Sequence, residues 1–274
     1  MDLTGPPDAN RALDGIPGPL WDQVSLARAR LLMLDHDGTL APFETDRARA
    51  VAPRSTRELL QRIAESGRTR LVVVSGRPVR DLAALLEPVR LTFVGEHGWE
   101  VSAPGERVVR HPLPRGVASR LERAARLARA AGLTAHLERK RSSIAVHTRG
   151  LDAEGAAHVT SGAALAWSPL LDRAPLRLVP FDGGLELRAR GRDKGTAARE
   201  LLAREPAGTL AVHVGDDTTD EDVFEALGET GFGVRVGGPG APTRARAWLR
   251  NPDQVARFLE TWLELTTRER RHGA

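Results

Sequence analysis

The stretch that most constrains this chain is a short apolar run that ends abruptly in acid. Residues 31–34 are all apolar, and residues 35–40 follow as Asp-His-Asp-Gly-Thr-Leu. Because the apolar run has no polar interruption, it predicts a strand buried on both faces, as in the middle of a parallel sheet. Ligands of open α/β sheets bind beyond the carboxyl ends of the strands, so Asp35 and Asp37 are placed for chemistry.

The two acids at this strand end carry two negative charges side by side. Burying an unpaired carboxylate is costly, so Asp35 and Asp37 predict a bound metal ion or a charged partner. A carboxylate can act as a covalent nucleophile, and a second one can protonate a leaving oxygen and then activate water. We therefore interpret the stretch as a phosphoryl-transfer site. A calcium-type loop or a simple turn is the alternative for this stretch alone.

The composition bounds the class of protein. At 274 residues the chain is long enough for one large domain or two modest ones, and the lack of cysteine excludes disulfides and thiolate metal sites. Net charge is only +4, basic residues are interspersed with acidic ones, and tyrosine is absent, which argues against nucleic-acid binding. We find no membrane-length apolar run and no signal-peptide pattern, so we expect a cytoplasmic protein that does not enter a membrane.

Lysine is nearly absent from this chain. Of 40 basic residues only Lys140 and Lys194 are lysines, so these two positions keep a compact ammonium in a chain that otherwise uses arginine. Lys194 lies at the predicted start of a helix, where a cation is unfavourable unless an anion is nearby. We interpret Lys194 as a phosphate contact, against the alternative of a surface lysine.

A second strand end carries groups suited to phosphate. Residues 71–74 are apolar and lead into Ser75, Gly76 and Arg77. A serine hydroxyl and a glycine amide near the start of a helix favour a phosphate oxygen, with which the arginine can pair. An ordinary strand-to-helix turn with serine as the helix cap is the alternative, and the tripeptide alone does not separate the two.

The last acid-rich strand end spans residues 209–222. Five carboxylates occur within seven residues after a buried run, and they would repel one another without a cation. Mg²⁺ binds few carboxylates and completes its shell with waters and phosphate oxygens. We assign Asp216 as a direct ligand and Asp217 as a more distant or water-mediated one. The remaining three acids, Asp220, Glu221 and Asp222, also suit the first turn of the following helix. We prefer this interpretation for Glu221 and Asp222.

Between these strands the pattern changes to a second unit. It predicts a helix, two strands, a helix and two further strands, at residues 116–131, 134–140, 143–149, 153–167, 176–181 and 185–189. A helix-strand-strand unit repeated once predicts a separate α+β module. The expected fold class is therefore α/β, with a Rossmann-like parallel-sheet core domain and an inserted smaller α+β cap domain. We expect the core at residues 1–111 and 185–274 and the cap at residues 112–184.

The segment of residues 35–40 resembles the first motif of the haloacid-dehalogenase-like phosphatases. This resemblance implies that Asp35 is the nucleophile and Asp37 the general acid/base. It also implies that Mg²⁺ is held by the Asp35 carboxylate and the Asp37 carbonyl. Ser75 and Lys194 match the second and third motifs of the superfamily, which implies that they contact the phosphate and offset its charge. A lone histidine such as His97 is usually structural. Its Gly-Glu-His-Gly context is similar to that of sugar-phosphate phosphatases, so His97 is a candidate substrate contact of lower rank.

The predicted cap resembles that of the trehalose-6-phosphate phosphatases. In that family a Glu-x-Lys pair, an arginine nine residues later and a glutamate eight residues before the phosphate-binding lysine contact the sugar. This chain has matching residues at the same spacing: Glu138, Lys140, Arg149 and Glu186. Charged residues on a strand are usually exposed to solvent, so the assignment depends on the resemblance.

The resemblance implies a Mg²⁺-dependent phosphatase that hydrolyses trehalose 6-phosphate through an aspartyl-phosphate, the last step of trehalose biosynthesis. We expect a monomer, with a trehalose-6-phosphate synthase as a candidate partner. Two alternatives stay open. Another capped phosphatase, of the sucrose-phosphate or mannosyl-phosphoglycerate type, would keep the core residues and differ in the cap. A non-catalytic sugar-phosphate sensor would bind without turnover.

Overall fold

The structure is a computed structural model that describes residues 13–171, 175–240 and 242–268. Within these ranges the strands are β1 (Arg30–Leu34), β2 (Thr69–Val74), β3 (Thr92–Gly95), β4 (Glu100–Ser102), β5 (Val109–Arg110), β6 (Leu137–Arg139), β7 (Ser143–His147), β8 (Leu176–Phe181), β9 (Gly184–Ala189), β10 (Leu210–Gly215), β11 (Phe232–Val236) and β12 (Ala247–Leu249). The helices are α1 (Gly18–Leu26), α2 (Arg54–Glu65), α3 (Val79–Leu85), α4 (Val117–Ala130), α5 (Ala153–Trp167), α6 (Lys194–Leu202), α7 (Glu221–Leu227) and α8 (Pro252–Arg268). In this described part of the chain, no helix has both the length and the apolar character needed to cross a membrane.

Strand β1 lies in the middle of an eight-stranded sheet with the order β12-β11-β10-β1-β2-β3-β4-β5. The strands from β12 to β3 are parallel, and β4 and β5 form an antiparallel edge. Successive side chains of a strand point to opposite faces. Leu32 and Leu34 accordingly pack with α1, α2 and α8, whereas Leu31 and Met33 pack with α6 and α7. This double burial confirms the expected parallel-sheet core.

The second unit is a four-stranded antiparallel sheet with the order β6-β7-β9-β8. Helices α4 and α5 cover one face of this sheet, where Ile144, Val146 and Leu187 pack around Trp167. Because side chains alternate along the strands, the opposite face carries the polar residues of β7 and β9, including Ser143 and Glu186. That polar face lies over the carboxyl ends of β1, β2 and β10, which brings the two units together at one pocket.

The structure corrects two boundaries of the second unit. The expected division after residue 184 separates the paired strands β8 and β9, but β9 is hydrogen-bonded to both β7 and β8, so this unit extends to Ala189. The predicted strand at residues 134–140 begins only at Leu137, where it finds Val146 as its partner. Residues 134–136 form a 3₁₀ turn instead, because β7 ends at His147 and leaves them no strand to pair with. The ends of the expected core segments, residues 1–12 and 269–274, lie outside the described residues.

Candidate active site

A pocket lies where the carboxyl ends of the parallel strands face the polar side of the second sheet. Of the residues predicted as catalytic, metal-binding or substrate-binding, Glu138 alone is not part of the lining. The others that line it are Asp35, Asp37, Ser75, Gly76, Arg77, His97, Lys140, Arg149, Glu186, Lys194, Asp216 and Asp217. The carboxyl ends of the parallel strands thus bring together side chains that are up to 182 residues apart in the chain (35 to 217).

Three carboxylates and one ammonium form a cluster in which Asp35, Asp216 and Lys194 line the pocket and Asp220 is fully buried beside Lys194. One oxygen from each of Asp35, Asp216 and Asp220 lies within 4.8 Å of the others. Lys194 Nζ lies 3.0 Å from Asp35 Oδ2 and 2.8 Å from Asp220 Oδ1. Burial raises the pKa of Asp35 to about 8, because Lys194 offsets only part of that cost and the neighbouring acids add to it. Burial and the charges of Asp35 and Asp220 raise the pKa of Asp216 well above its usual range.

The cluster fits a cation. Its carboxylates outnumber the single ammonium, and Asp35 Oδ1 is buried with no hydrogen-bond partner among the described residues. Thr39 donates its hydroxyl to Asp216 Oδ1 over 3.2 Å, which orients that carboxylate toward Asp35. Buried charge of one sign is stable only when a cation or proton balances it. The described residues therefore contain an acidic cluster that can hold a divalent metal ion.

The membership of the cluster differs from the expected metal set. Asp217, expected as a more distant ligand, accepts hydrogen bonds from the backbone amide and the hydroxyl of Thr218 and caps a short turn. Asp220, left open between capping and metal binding, is fully buried and accepts from Lys194 and from His213 Nε2 at 2.8 Å each. Asp220 therefore holds Lys194 beside Asp35. His213 had no sequence signal, because a histidine within an apolar strand gives no hint of its partner.

Asp37 is held by Arg77 rather than by the cluster. The guanidinium donates from Nε to Asp37 Oδ2 and from Nη2 to Asp37 Oδ1, at 2.6 Å each. Burial alone would raise the pKa of Asp37, but the hydrogen bonds and charge of Arg77 lower it to about 2. The backbone turns away directly afterwards at Gly38, where φ is +74° and a Cβ atom would lie 2.4 Å from Asp216 Oδ2. Only glycine lets the two acid-bearing segments approach this closely.

The second strand end packs against a histidine. Ser75 is buried, and its hydroxyl accepts from the backbone amide of Arg77 over 3.3 Å. A Cβ atom on Gly76 would lie 2.6 Å from the His97 ring, so glycine is required for this contact. His97 Nε2 donates to Glu186 over 3.0 Å, and Nδ1 lies 3.4 Å from the Arg188 guanidinium. Burial lowers the pKa of His97 to about 4, so the ring is neutral at pH 7.

The turn that carries His97 joins the two units. Glu96 and His97 both adopt positive φ, at 47° and 54°, a conformation that costs energy for residues other than glycine. Glu96 accepts from the backbone amide of Ser142 at 2.8 Å and from its hydroxyl at 2.6 Å, while His97 binds Glu186. Both partners lie in the second unit. The strained turn is thus held in place by contacts that cross the interface.

The polar face of the second sheet carries a balanced set of charges. Glu186 accepts from Lys140 over 3.0 Å and from the Ser143 hydroxyl over 2.7 Å. Burial opposes the charge of Glu186, but Lys140 and His97 hold its pKa well below the usual range. Glu138 lies 3.7 Å from Lys140 Nζ and accepts from His147 over 2.8 Å, just outside the pocket lining.

Three core residues that line this pocket were missed from the sequence: Phe43, Arg47 and Thr219. Arg47 and Phe43 lie in the segment between β1 and α2, and both contact residues of the second unit. The Arg47 guanidinium pairs with Glu138, and the Arg149 guanidinium lies 3.9 Å from the centre of the Phe43 ring. Arg149 also donates to the Asp182 carbonyl at 2.8 Å. Nothing in the sequence marked Arg47, since arginines are abundant and its neighbours along the chain form no motif.

Comparison with known proteins identifies relatives of this chain. A family model described as trehalose-phosphatase matches residues 33–241. The chain is 29% identical over 256 residues to trehalose-phosphate phosphatase B of Arabidopsis thaliana, covering 85% of this chain and 66% of that protein. It is 34% identical over 239 residues to a bifunctional trehalose-6-phosphate synthase/phosphatase of Thermoproteus tenax, covering 83% of this chain and 31% of that one. The chain thus spans just under two thirds of one curated relative and under a third of the other.

A solved structure shares the fold. The C-terminal domain of Candida albicans trehalose-6-phosphate phosphatase superposes with a TM-score of 0.80 at 22% identity. The match covers 92% of this chain and 97% of that domain, so both the parallel core and the inserted unit are included. At this identity the similarity concerns the fold alone, and it confirms the expected α/β class with an inserted domain.

Proposed function

The chain belongs to the trehalose-phosphatase family, and on that premise we propose that it hydrolyses trehalose 6-phosphate to trehalose and phosphate. The observation that carries the proposal is the arrangement of Asp35, Lys194 and Asp216 at one end of a pocket whose other end is a charged sheet face. Acids and an ammonium at one end suit a phosphoryl group. Paired polar side chains at the other suit the hydroxyl groups of a sugar.

We propose a two-step reaction. Asp35 attacks the phosphorus in line, and the bond to the sugar oxygen breaks as Asp37 gives that oxygen a proton. Asp37 then takes a proton from water as the water attacks the phosphorus of the aspartyl-phosphate, which releases phosphate and restores Asp35. Lys194 and Ser75 contact the phosphoryl oxygens and offset their charge, the largest contribution in such reactions.

Arg77 links this reaction to substrate binding. In the structure Arg77 holds Asp37 ionised, whereas the first step requires a protonated Asp37. A phosphate dianion competes with Asp37 for the guanidinium because it offers two charges and the same two-point geometry. We infer that Arg77 turns to the phosphate when substrate binds, that the pKa of Asp37 then rises, and that Asp37 becomes able to carry the proton.

We propose Mg²⁺ as the cation of the acidic cluster. The carboxylates of Asp35 and Asp216 and the backbone carbonyl of Asp37 would hold it, with Asp217 acting through water. When bound, the ion supplies positive charge to the phosphoryl oxygens and to the nucleophile. We expect Mg²⁺ to raise the melting temperature of the wild-type protein and to leave that of Asp216→Asn unchanged, as measured by calorimetry.

We also propose that residues 112–189 act as a cap that closes over the substrate and reads its sugar. Closure would exclude bulk water during the reaction. The proposed sugar contacts are Glu138, Lys140, Arg149, Glu186 and His97. The fused synthase and phosphatase of Thermoproteus tenax supports a synthase as the candidate partner, and a monomeric, cytoplasmic enzyme completes the proposal.

The test is phosphate release by the purified protein with Mg²⁺ and with an EDTA control. Trehalose 6-phosphate, sucrose 6-phosphate, glucose 6-phosphate and para-nitrophenyl phosphate would be compared. Strong preference for trehalose 6-phosphate supports the whole proposal. Metal-dependent release with another preferred sugar keeps the core chemistry and rejects the cap assignment, and no release from any substrate favours a sugar-phosphate sensor.

A further inference from the structure

Arg47 lies in a core segment that is hydrogen-bonded to the turn carrying Asp35 and Asp37. Arg47 begins a 3₁₀ turn, Arg47–Arg49. The Asp46 carboxylate caps this turn by accepting from the Ala48 amide at 3.0 Å. The carbonyl of the next residue after the turn, Ala50, accepts from His36 Nε2 at 2.8 Å. His36 is fully buried between Asp35 and Asp37 in the chain. The position of Arg47 is therefore set by the same turn that carries the two acids.

From this position Arg47 reaches the second unit. Its guanidinium pairs with the Glu138 carboxylate and lies 3.4 Å from His147 Nε2. The side chains of Arg47 and Glu138 are only 26% and 23% exposed, so the pair is largely removed from water. Exposed ion pairs contribute little to stability, whereas removing one partner of a largely buried pair is costly because it leaves the other charge uncompensated.

The other groups beside Glu138 are poor substitutes for Arg47. Lys140 lies 3.7 Å away and is shared with Glu186, from which it is 3.0 Å distant. His147 is neutral at pH 7, because burial and the charge of Arg47 lower its pKa to about 3. Arg47 therefore gives Glu138 a full positive charge, whereas Lys140 is shared with Glu186 and His147 is neutral.

The Arg47 guanidinium is largely buried and lies near another positive charge. Burial and the nearby charge of Arg77 lower the pKa of Arg47 to about 10, while Asp37 and Glu186 act in the opposite direction. Arg47 lines the pocket together with Asp37 and Glu186, so it lies near residues of both ends.

We propose that Arg47 is a positioning residue that holds Glu138 at the sugar end of the pocket and so sets the preference for sugar phosphates over small phosphate monoesters. This inference rests on the proposed function. Arg47 acts through Glu138, so its loss weakens the binding of a substrate that reaches Glu138. A substrate that fills only the phosphate end loses less, because it does not reach Glu138.

The experiment compares Arg47→Ala, Arg47→Lys, Glu138→Gln and the double variant Arg47→Ala/Glu138→Gln on two substrates. Arg49→Ala is the matched control, since Arg49 is exposed on the same turn. For trehalose 6-phosphate we expect Arg47→Ala to raise KM about tenfold, with kcat changed less than about twofold. For para-nitrophenyl phosphate we expect a clearly smaller loss of kcat/KM than for trehalose 6-phosphate. Arg47→Lys should recover part of the loss, and the double variant should be no worse than Glu138→Gln.

Three results would overturn the inference. These are an equal loss on both substrates, a double variant whose loss is the product of the two single losses, and an unchanged KM in Arg47→Ala.

Melting temperatures of the ligand-free variants provide a readout without turnover. The shifts in melting temperature caused by the Arg47 and Glu138 substitutions should be non-additive. If wild type hydrolyses the aryl phosphate and not trehalose 6-phosphate, the proposed function fails, and non-additive melting shifts would still support the pairing. If wild type hydrolyses trehalose 6-phosphate and the melting-temperature shifts of the Arg47 and Glu138 variants are additive, the inference is wrong and the proposed function stands.

Discussion

The two ends of the pocket carry similar numbers of charged side chains but balance them differently. At the phosphate end, Asp35, Asp216 and Asp220 share one ammonium, and the pKa values of Asp35 and Asp216 are raised. At the sugar end, Glu186 is matched by Lys140 and its pKa is held down. Under the proposed function, the unbalanced cluster would be completed by a cation and a charged substrate, whereas the balanced one would bind neutral hydroxyl groups.

The ends also differ in what holds them in place. The phosphate end is fixed by the backbone, because its residues follow parallel strands of one sheet or begin a helix beside them. The sugar end depends on contacts that cross between the two units, such as His97 with Glu186 and Arg47 with Glu138. Changes at the first end should therefore affect chemistry on every substrate, and changes at the second should affect selectivity and the stability of the interface.

The largest expected effect is at the phosphate end. We expect Asp35→Asn to lower kcat at least about 1,000-fold, because the amide cannot form the covalent intermediate. The loss should be similar for trehalose 6-phosphate and para-nitrophenyl phosphate, as measured by phosphate release at saturating Mg²⁺. Circular dichroism would establish that the variant is folded. Substantial hydrolysis by folded Asp35→Asn would remove Asp35 from the nucleophile role.

The same chemical change at the two ends should alter stability with opposite sign. Glu186→Gln leaves Lys140 buried without its counter-charge, so we expect the free energy of unfolding to fall by about 3 kcal/mol. Asp216→Asn removes one of the uncompensated acids, so we expect a rise of about 1 kcal/mol in metal-free protein. Urea denaturation at pH 7 with EDTA measures both. If both variants lose stability alike, the contrast in charge balance is wrong.

Acid should destabilise the sugar end through His97. Its pKa is about 4 in the folded protein and near 6.5 when unfolded, so the unfolded chain binds more protons between these values. Stability contributed by the neutral ring is complete above pH 6.5 and is lost as the pH falls toward 4. From pH 7 to pH 5 we expect wild type to lose about 2 kcal/mol more than His97→Gln.

The control for this pH dependence is His158→Gln, since His158 is exposed on α5. It should follow the wild-type curve of unfolding free energy against pH. An unchanged acid sensitivity in His97→Gln would mean that other groups govern the acid response of the interface.

The difference between the two ends also explains what the sequence could predict. Residues such as Asp35, Ser75 and Asp216 were placed together because apolar runs mark buried parallel strands, and such strands end at one edge of a sheet. The burial of Asp220 and the pairing of Arg77 with Asp37 were not predictable in this way. They depend on which of several nearby charges lies within hydrogen-bond distance, and residue spacing does not contain that information.

At the sugar end, Glu138, Lys140 and Glu186 were singled out only by their resemblance to a known family, and the partners from the core were missed. Arg47 belongs to a segment without periodicity, and its position follows from the contact between His36 and Ala50. The boundary at residue 184 failed for a related reason. A turn at residues 182–184 marks a hairpin, but it does not say to which sheet the second strand belongs.

The smallest expected effect tests the aromatic contact between the core and the sugar end. The Phe43 ring lies under Arg149 and is 42% exposed, so the interaction is worth about 0.5–1 kcal/mol. We expect Phe43→Leu to raise KM for trehalose 6-phosphate about two- to fivefold and to leave para-nitrophenyl phosphate unaffected. Phe43→Tyr keeps the ring face and should behave as wild type. If Tyr and Leu at this position act alike, Arg149 does not depend on the ring.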